Sequence, residues 1–231
     1  MLVHPMLRTP YRGVIEGVGT LSAHVTAPRP ITNYGLISPG TSSAPVGNLM
    51  LLGNVDFQPS GSLRIDLTNQ GHDSIIIDDI VRFGGELDLS VADDFVPVPY
   101  EPLQIVGTNR EPFIFEGTFD SVTNVILDEN YGLAVTYGAD EVLVTAARLG
   151  DANLDGVVDV SDFNAWNENQ FEDATWASGD FNGDGVADVS DFNIWNGQTF
   201  EESPLSVPEP SGLALLVVGV LELMRRSSEA V

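Results

Sequence analysis

The chain has no cysteine and no lysine, and only three histidines occur among its 231 residues. The absence of cysteine excludes disulfides, thiolate metal sites and cysteine nucleophiles. All nine basic residues are arginines, and 34 acidic residues give a formal net charge of −25. Because such a chain repels phosphate backbones, nucleic acid is excluded as an expected partner. The same charge attracts cations, above all where carboxylates cluster.

Composition divides the chain into three predicted domains. Residues 1–148 carry short apolar alternations split by Gly, Asn, Asp and Pro, and their first part, 1–45, is rich in Gly and Pro. Residues 149–203 contain an internal duplication. Residues 204–231 form a Pro/Ser linker, an apolar run and a pair of arginines. With 43% hydrophobic residues, wholesale disorder is excluded.

The first region is predicted to be β-structure. The segments SLRIDL, SIIIDDI and GELDLSV begin at Ser62, Ser74 and Gly85, at spacings of 12 and 11 residues. In the first and third segments apolar residues alternate with polar ones, which places the apolar side chains on one face of a strand. A meander, a sandwich and a parallel solenoid all satisfy this pattern.

A family resemblance narrows that choice. The stretch from Asn33 to Leu67 contains Pro39-Gly40-Thr41-Ser42 after a Gly-rich turn, and a Gly-x-Leu strand follows. It resembles the last coils of autotransporter-type passenger repeats, and residues 113–146 are similar to the strand-rich tail of such proteins. The resemblance covers roughly residues 30–148 and implies a right-handed parallel β-helix. A generic antiparallel β-domain is the alternative.

Residues 151–171 and 180–200 are near-copies of each other, with 14 of 21 positions identical. Each copy opens with oxygen-bearing residues at positions 1, 3, 5, 9 and 12 and glycine at position 6. This is the spacing of an EF-hand-type calcium loop, in which position 7 adds a backbone carbonyl. The candidate ligands are Asp151, Asn153, Asp155, Val157, Asp159 and Asp162 in loop 1, and Asp180, Asn182, Asp184, Val186, Asp188 and Asp191 in loop 2.

The ligand chemistry predicts two bound Ca²⁺ ions, one in each loop. Four carboxylates around one point repel one another, and a divalent ion relieves that repulsion. Aspartate at position 12 is shorter than glutamate, so Mg²⁺ is the rival ion. A metal-free surface turn is the other alternative. Val158 and Ala187, at position 8, are expected to pair the two loops through an apolar contact.

A short amphipathic helix is predicted after each loop. The apolar residues recur at i, i+3 and i+6: Val160, Phe163 and Trp166 in the first copy, and Val189, Phe192 and Trp195 in the second. Packing of the two helices against each other explains these aromatic residues. A partner-binding surface is the alternative.

The duplicated region, about 149–203, resembles a type I dockerin, with the opening Leu149-Gly150-Asp151 and an aspartate at position 12 of each loop. The resemblance implies Ca²⁺ binding and a cohesin-like or other surface protein as partner. The chain departs from that family at the recognition positions, where it has Val160-Ser161 and Val189-Ser190. It also has no basic residue from 149 to 224.

Residues 207–226 resemble a PEP-CTERM sorting signal. The motif Pro208-Glu209-Pro210 precedes an apolar run at 211–224 and then Arg225-Arg226. The resemblance implies export, processing by an exosortase-type enzyme, and a cell-surface or extracellular location. The run inserts in the membrane transiently or permanently. Its 14 residues span about 21 Å of a roughly 30 Å hydrocarbon core, which favours transient insertion. A buried C-terminal helix is the alternative.

The first residues, 1–13, lack the charged start, apolar core and cleavage site of a signal peptide. The hypothesis is therefore that the chain is the C-terminal part of a longer exported protein, or that its start is misplaced.

The sequence offers no credible catalytic site, because the three histidines are scattered and the paired carboxylates Asp78-Asp79 and Asp93-Asp94 are typical of solvated turns. The predicted function is a non-catalytic exported surface or matrix protein with a calcium-stabilised module. The alternative is the C-terminal fragment of a polysaccharide-degrading enzyme, and polysaccharide is a candidate ligand in either case.

The predicted fold class is mainly β with a small α module. It consists of the end of a β-helix, a two-repeat EF-hand-like helical module, and a C-terminal apolar helix.

Overall fold

The computed structural model describes residues 13–22, 30–41, 46–109 and 114–199. The secondary-structure elements of this part are β1 (Val14–Gly17), β2 (Gly19–Ser22), β3 (Ile31–Asn33), β4 (Leu36–Pro39), β5 (Asn48–Leu52), β6 (Val55–Phe57), β7 (Ser62–Thr68), β8 (Gly71–His72), β9 (Ser74–Ile77), β10 (Val81–Arg82), β11 (Glu86–Val91), β12 (Pro102–Gly107), β13 (Phe115–Glu116), β14 (Ser121–Thr123), β15 (Tyr131–Tyr137), β16 (Glu141–Arg148), α1 (Val160–Glu168), a 3₁₀ turn (Trp176–Ser178) and α2 (Val189–Gln198).

The strands form three sheets that are mostly parallel. The first has the order β1-β4-β7-β11-β14, with β8 beside β7; the second is β13-β10-β6-β3; the third is β15-β16-β12-β9-β5-β2. The chain visits the three sheets in turn, so neighbours within a sheet come from successive passes and run parallel. The antiparallel pairs are β7–β8, β12–β16 and β15–β16.

The core lies between the sheets, because alternate residues of each strand point inward. In β7, Leu63, Ile65 and Leu67 have no exposed surface, and in β11 Leu87 and Leu89 are equally buried. The predicted strands at SLRIDL and GELDLSV are therefore confirmed. A second apolar cluster joins the β15–β16 hairpin to the duplicated region; its buried members are Ala134, Ala147, Leu149, Ala152, Trp176 and Phe181.

The expected fold class is wrong. The described residues form three mostly parallel sheets, and closure into a β-helix is not shown. The expected EF-hand-like helical module is also not present. The segment before loop 1 is strand β16, which alternates apolar residues and pairs with β12 and β15. The segment before loop 2 is a single 3₁₀ turn. The two α-helices have 9 and 10 residues.

At position 8 of loop 2, the backbone of Ala187 bonds to the segment that follows α1, accepting from Phe171 N at 2.8 Å and donating to Glu172 O at 3.3 Å. Loop 2 therefore pairs with the connection between the copies. The expected apolar contact between Val158 and Ala187 stays a prediction.

The predicted sorting motif Pro208-Glu209-Pro210, the apolar run at 211–224 and the N-terminal residues 1–12 lie outside the described residues. Of the helices that the structure describes, none has the length and apolar character to cross a membrane.

Candidate metal centre

In loop 1, the residues Asp151 and Asp162 are buried, whereas Asn153, Asp155 and Asp159 are exposed. The Asp162 carboxylate accepts from the backbone N–H groups of Ala152 at 2.8 Å and Asn153 at 3.3 Å. The two ends of the loop are thereby joined without any ion. Val157, the predicted carbonyl donor, is 56% exposed.

Loop 2 repeats this arrangement. Asp191 accepts from the N–H groups of Phe181 at 2.8 Å and Asn182 at 3.1 Å. Asp180, only 5% exposed, accepts from Gly183 at 2.8 Å and Gly185 at 2.9 Å. The remaining candidates differ in exposure: Asp184 is exposed, and Asn182, Val186 and Asp188 are half-buried.

Positions 9 and 12 also start the helices. Asp159 and Asp188 are N-caps that accept from Ser161 N at 2.7 Å and Ser190 N at 2.6 Å. The carboxylates of Asp162 and Asp191 accept from the N-cap N–H groups and complete capping boxes. Aspartates at these four positions therefore have a helix-starting role in addition to any role as ligands.

The two loops differ in how their carboxylates are grouped. Oxygens of Asp180, Asp184 and Asp191 all lie within 4.8 Å of one another, and no other such group of potential metal ligands occurs in the described ranges. In loop 1, Asn153 Nδ2 donates to the Asp155 carboxylate at 3.0 Å, which keeps Asp155 bound to its neighbour. The carboxylates of loop 2 are thus grouped more closely around one point than those of loop 1.

The electrostatic environment disfavours these charges in the absence of a cation. Burial raises the pKa of Asp180 to about 6, although backbone hydrogen bonds from Gly185 and Gly183 oppose the shift. Burial likewise raises the pKa of Asp162 and of Asp191. Two carboxylates about 5 Å apart repel by roughly 3 kcal/mol at an effective dielectric near 20. A divalent cation would relieve both costs.

The chemistry of the donors fits calcium. Each loop offers side-chain oxygens from five residues and one backbone carbonyl, and Ca²⁺ takes six to eight oxygen ligands. Of the twelve candidates named from the sequence, the structure brings the carboxylates of Asp180, Asp184 and Asp191 close enough to hold one ion together. A bound divalent ion supplies charge neutralisation and cross-links the loop ends.

The predicted aromatic packing between the helices is confirmed in part. The rings of Phe163, Trp166, Phe192 and Trp195 cluster, with centroids 5.0–6.4 Å apart. The indole N–H of Trp166 donates to Asp188 O at 2.6 Å, and that of Trp195 donates to Asp159 O at 3.0 Å. Each helix thus binds the loop of the other copy.

The valines at the start of these helices do not share that packing. Val160 is 65% exposed and Val189 is 56% exposed, so they lie outside the aromatic cluster. The three-residue period placed them on the buried face, but both residues occupy the first helical position, next to the solvent-facing loops.

Two contacts from the β region to the loops have no counterpart in the sequence analysis. The Tyr100 hydroxyl donates to Asp151 Oδ2 at 2.7 Å. In loop 2, Gly183 O accepts a hydrogen bond at 2.7 Å from the N–H of Val122, which belongs to strand β14. Both contacts join residues about 50–60 positions apart, so the spacing of residues within a motif could not predict them.

The carboxylates of Asp78 and Asp79 bond to backbone N–H groups. Asp78 Oδ1 accepts from Gly53 N at 2.6 Å, 25 residues away, and Asp79 Oδ1 accepts from Ile80 N at 3.1 Å. The first bond joins the segment that follows β9 to the segment that follows β5.

Comparison with known proteins adds no relative. No family model matches the chain, and no curated protein matches it.

Proposed function

We propose that the protein is a non-catalytic exported surface or matrix protein whose residues 151–191 bind two Ca²⁺ ions. The observation that supports the proposal best is the trio Asp180, Asp184 and Asp191, two of them buried, with oxygens within 4.8 Å of one another. No basic residue occurs from 149 to 224 to neutralise them. The role of the ions is to stabilise the end of the β region.

The proposed location and partner follow from the resemblances. Export and processing at Pro208-Glu209-Pro210 rest on the similarity to a PEP-CTERM signal. A surface protein that docks on the duplicated region rests on the similarity to dockerin repeats. The exposed residues Val160 and Val189, with Ser161 and Ser190, offer a mixed apolar and polar surface for such a partner.

Calorimetric titration of the full chain with Ca²⁺ after treatment with EDTA tests the metal proposal. We expect two ions per chain and a rise in melting temperature, because an ion that binds only the folded state adds about 2.7 kcal/mol at 100 times its Kd. Asp155→Ala and Asp184→Ala should each remove one ion, because alanine supplies no ligand oxygen, whereas asparagine would keep one. The matched control Asp93→Ala, at an exposed residue of the β region, should leave both.

Absence of heat and an unchanged melting temperature in Ca²⁺ would contradict the proposal. Uptake of Mg²⁺ in preference to Ca²⁺ would replace the ion. The non-catalytic part is tested by incubating the protein with neutral and acidic polysaccharides and measuring released sugar. Turnover above that of a heat-treated sample would contradict it.

A further inference from the structure

Asp151, at position 1 of loop 1, has one carboxylate oxygen fully engaged and one partly free. Oδ2 accepts from the Tyr100 hydroxyl at 2.7 Å and from Gly156 N at 2.9 Å. Oδ1 accepts from Asp155 N at 3.2 Å. Because a carboxylate oxygen has about two lone pairs, Oδ2 is saturated and Oδ1 keeps one lone pair. The hydrogen bonds therefore determine which oxygen can face an ion.

Tyr100 belongs to the β region and is firmly held there. Its N–H donates to Ala146 O at 2.9 Å, and its hydroxyl accepts from Arg148 N at 3.3 Å. Its backbone has a φ of +63°, a left-handed conformation that is unfavourable for a bulky residue. Surrounding contacts must hold it there, and such conformations concentrate at functional sites.

Loop 2 receives no equivalent side-chain hydrogen bond in the part of the chain that the structure describes. Asp180 accepts hydrogen bonds from Gly183 and Gly185 of its own loop. The Tyr137 hydroxyl of β15 lies near Asp180, and burial together with that charge raises the pKa of Tyr137, but the hydroxyl accepts from Phe119 N and is not bonded to Asp180. Among the described residues, a side chain of the β region thus donates a hydrogen bond to a candidate ligand only in loop 1.

We infer that Tyr100 is a positioning residue for the ion of loop 1, orienting Asp151 and linking ion binding there to strand β16. The inference rests on the proposed calcium sites. The Tyr100 hydroxyl neither touches the ion nor supplies a ligand. It fixes the carboxylate so that Oδ1 points into the loop, and it transmits ordering of the loop to the backbone of Arg148.

The test isolates loop 1 by disabling loop 2 with Asp184→Ala and then adds Tyr100→Phe, which removes one oxygen atom. Calcium titration should show about 10-fold weaker binding, the lower end of what loss of a partner behind a metal ligand costs. Tyr34→Phe, at a surface tyrosine of the β region, is the matched control and should leave the affinity unchanged. Equal affinity with Tyr100→Phe would overturn the inference.

A general loss of structure is distinguished by the converse background. With loop 1 disabled by Asp155→Ala, Tyr100→Phe should leave the calcium affinity of loop 2 unchanged. If it weakens both loops equally, the hydroxyl has only a structural role and the inference is overturned.

Hydrogen exchange provides a measurement that does not depend on the stability of the Tyr100 variant. In Asp184→Ala, Ca²⁺ should slow exchange at the amides of Tyr100 and Arg148. In Asp155→Ala it should not. Equal exchange with and without Ca²⁺ in Asp184→Ala, when that variant binds one ion, would overturn the inference alone. Failure of the unmutated protein to bind any Ca²⁺ would overturn the calcium proposal as well.

Discussion

The two acidic loops contain the same ligand residues, but the β region holds them differently. Loop 1 has Ala152 at position 2 and Leu154 at position 4, whereas loop 2 has Phe181 and Gly183 there. Phe181 has no exposed surface, and the backbone of Gly183 bonds to β14. Loop 1 is reached instead by the side chain of Tyr100. A duplicated set of ligands therefore does not imply two equivalent sites.

The largest expected effect comes from giving loop 2 the small residue that loop 1 has at position 2. Phe181→Ala removes a fully buried ring that packs edge-on against Trp176 at 5.5 Å. We expect a loss of about 3–5 kcal/mol in the free energy of unfolding, measured in urea with EDTA present. Phe171→Ala, at a ring 68% exposed, is the control and should cost under about 0.5 kcal/mol. Similar losses for both would mean that loop 2 is not anchored by this ring.

A smaller effect is expected from Gly183→Ala, which tests the backbone contact of loop 2. Gly183 has a φ of +82°, and a Cβ there would overlap the carbonyl oxygen of Val122. The variant should lose about 2–3 kcal/mol in the free energy of unfolding, since conformational strain adds to the clash. The same change at Gly197 in α2, where a Cβ meets nothing within 4 Å, should be neutral or stabilising by up to about 1 kcal/mol. An equally stable Gly183→Ala protein would show that loop 2 does not need its close approach to β14.

A third prediction separates the loops from the β region by their response to pH. Asp73 lies fully buried in the β region, where it accepts from Gly47 N at 2.7 Å and Asp66 N at 3.0 Å. Burial raises its pKa from 3.8 to about 6. Because the folded state holds this proton more tightly than the unfolded state, stability falls as the pH rises from about 4 to about 6.

Unfolding curves between pH 3.5 and 7 in EDTA measure this effect. Asp73→Asn should remove about 2–3 kcal/mol of the pH-dependent change, the equivalent of a two-unit shift, and Asp93→Asn should remove none. Calcium should leave the contribution of Asp73 in place, because the residue lies outside both loops. Loss of that contribution in Ca²⁺ would show that the loops and the β region do not titrate independently.

The parts that were predictable from the sequence are those fixed by local periodicity. The alternation in SLRIDL is sufficient to place Leu63, Ile65 and Leu67 in the core as β7. The helices that follow each loop begin where the acidic residues at positions 9 and 12 form capping boxes. The spacing of the aspartates also singled out Asp180, Asp184 and Asp191, which the structure brings together.

The parts that were not predictable depend on contacts between distant segments. Strand alternation does not show how successive strands assemble into sheets, and the expected β-helix was wrong. The expected EF-hand-like helical module was also wrong, because the segment before loop 1 is strand β16, which pairs with β12 and β15. The backbone bonds of Ala187 to Phe171 and Glu172 cross from loop 2 to the connection between the copies, and the spacing of the ligand residues does not indicate them. Tyr100 lies 51 residues from Asp151 and has no motif around it.

The tryptophan indole of each copy donates a hydrogen bond to the other copy, and these two bonds limit how small a fragment can keep this packing. Trp166 donates to the carbonyl of Asp188 in the second copy, and Trp195 donates to that of Asp159 in the first. A single copy cut from the chain would leave its indole N–H without this acceptor and half of the aromatic cluster open to water. One repeat is therefore too small a unit to fold as it does here, because each repeat completes the packing of the other.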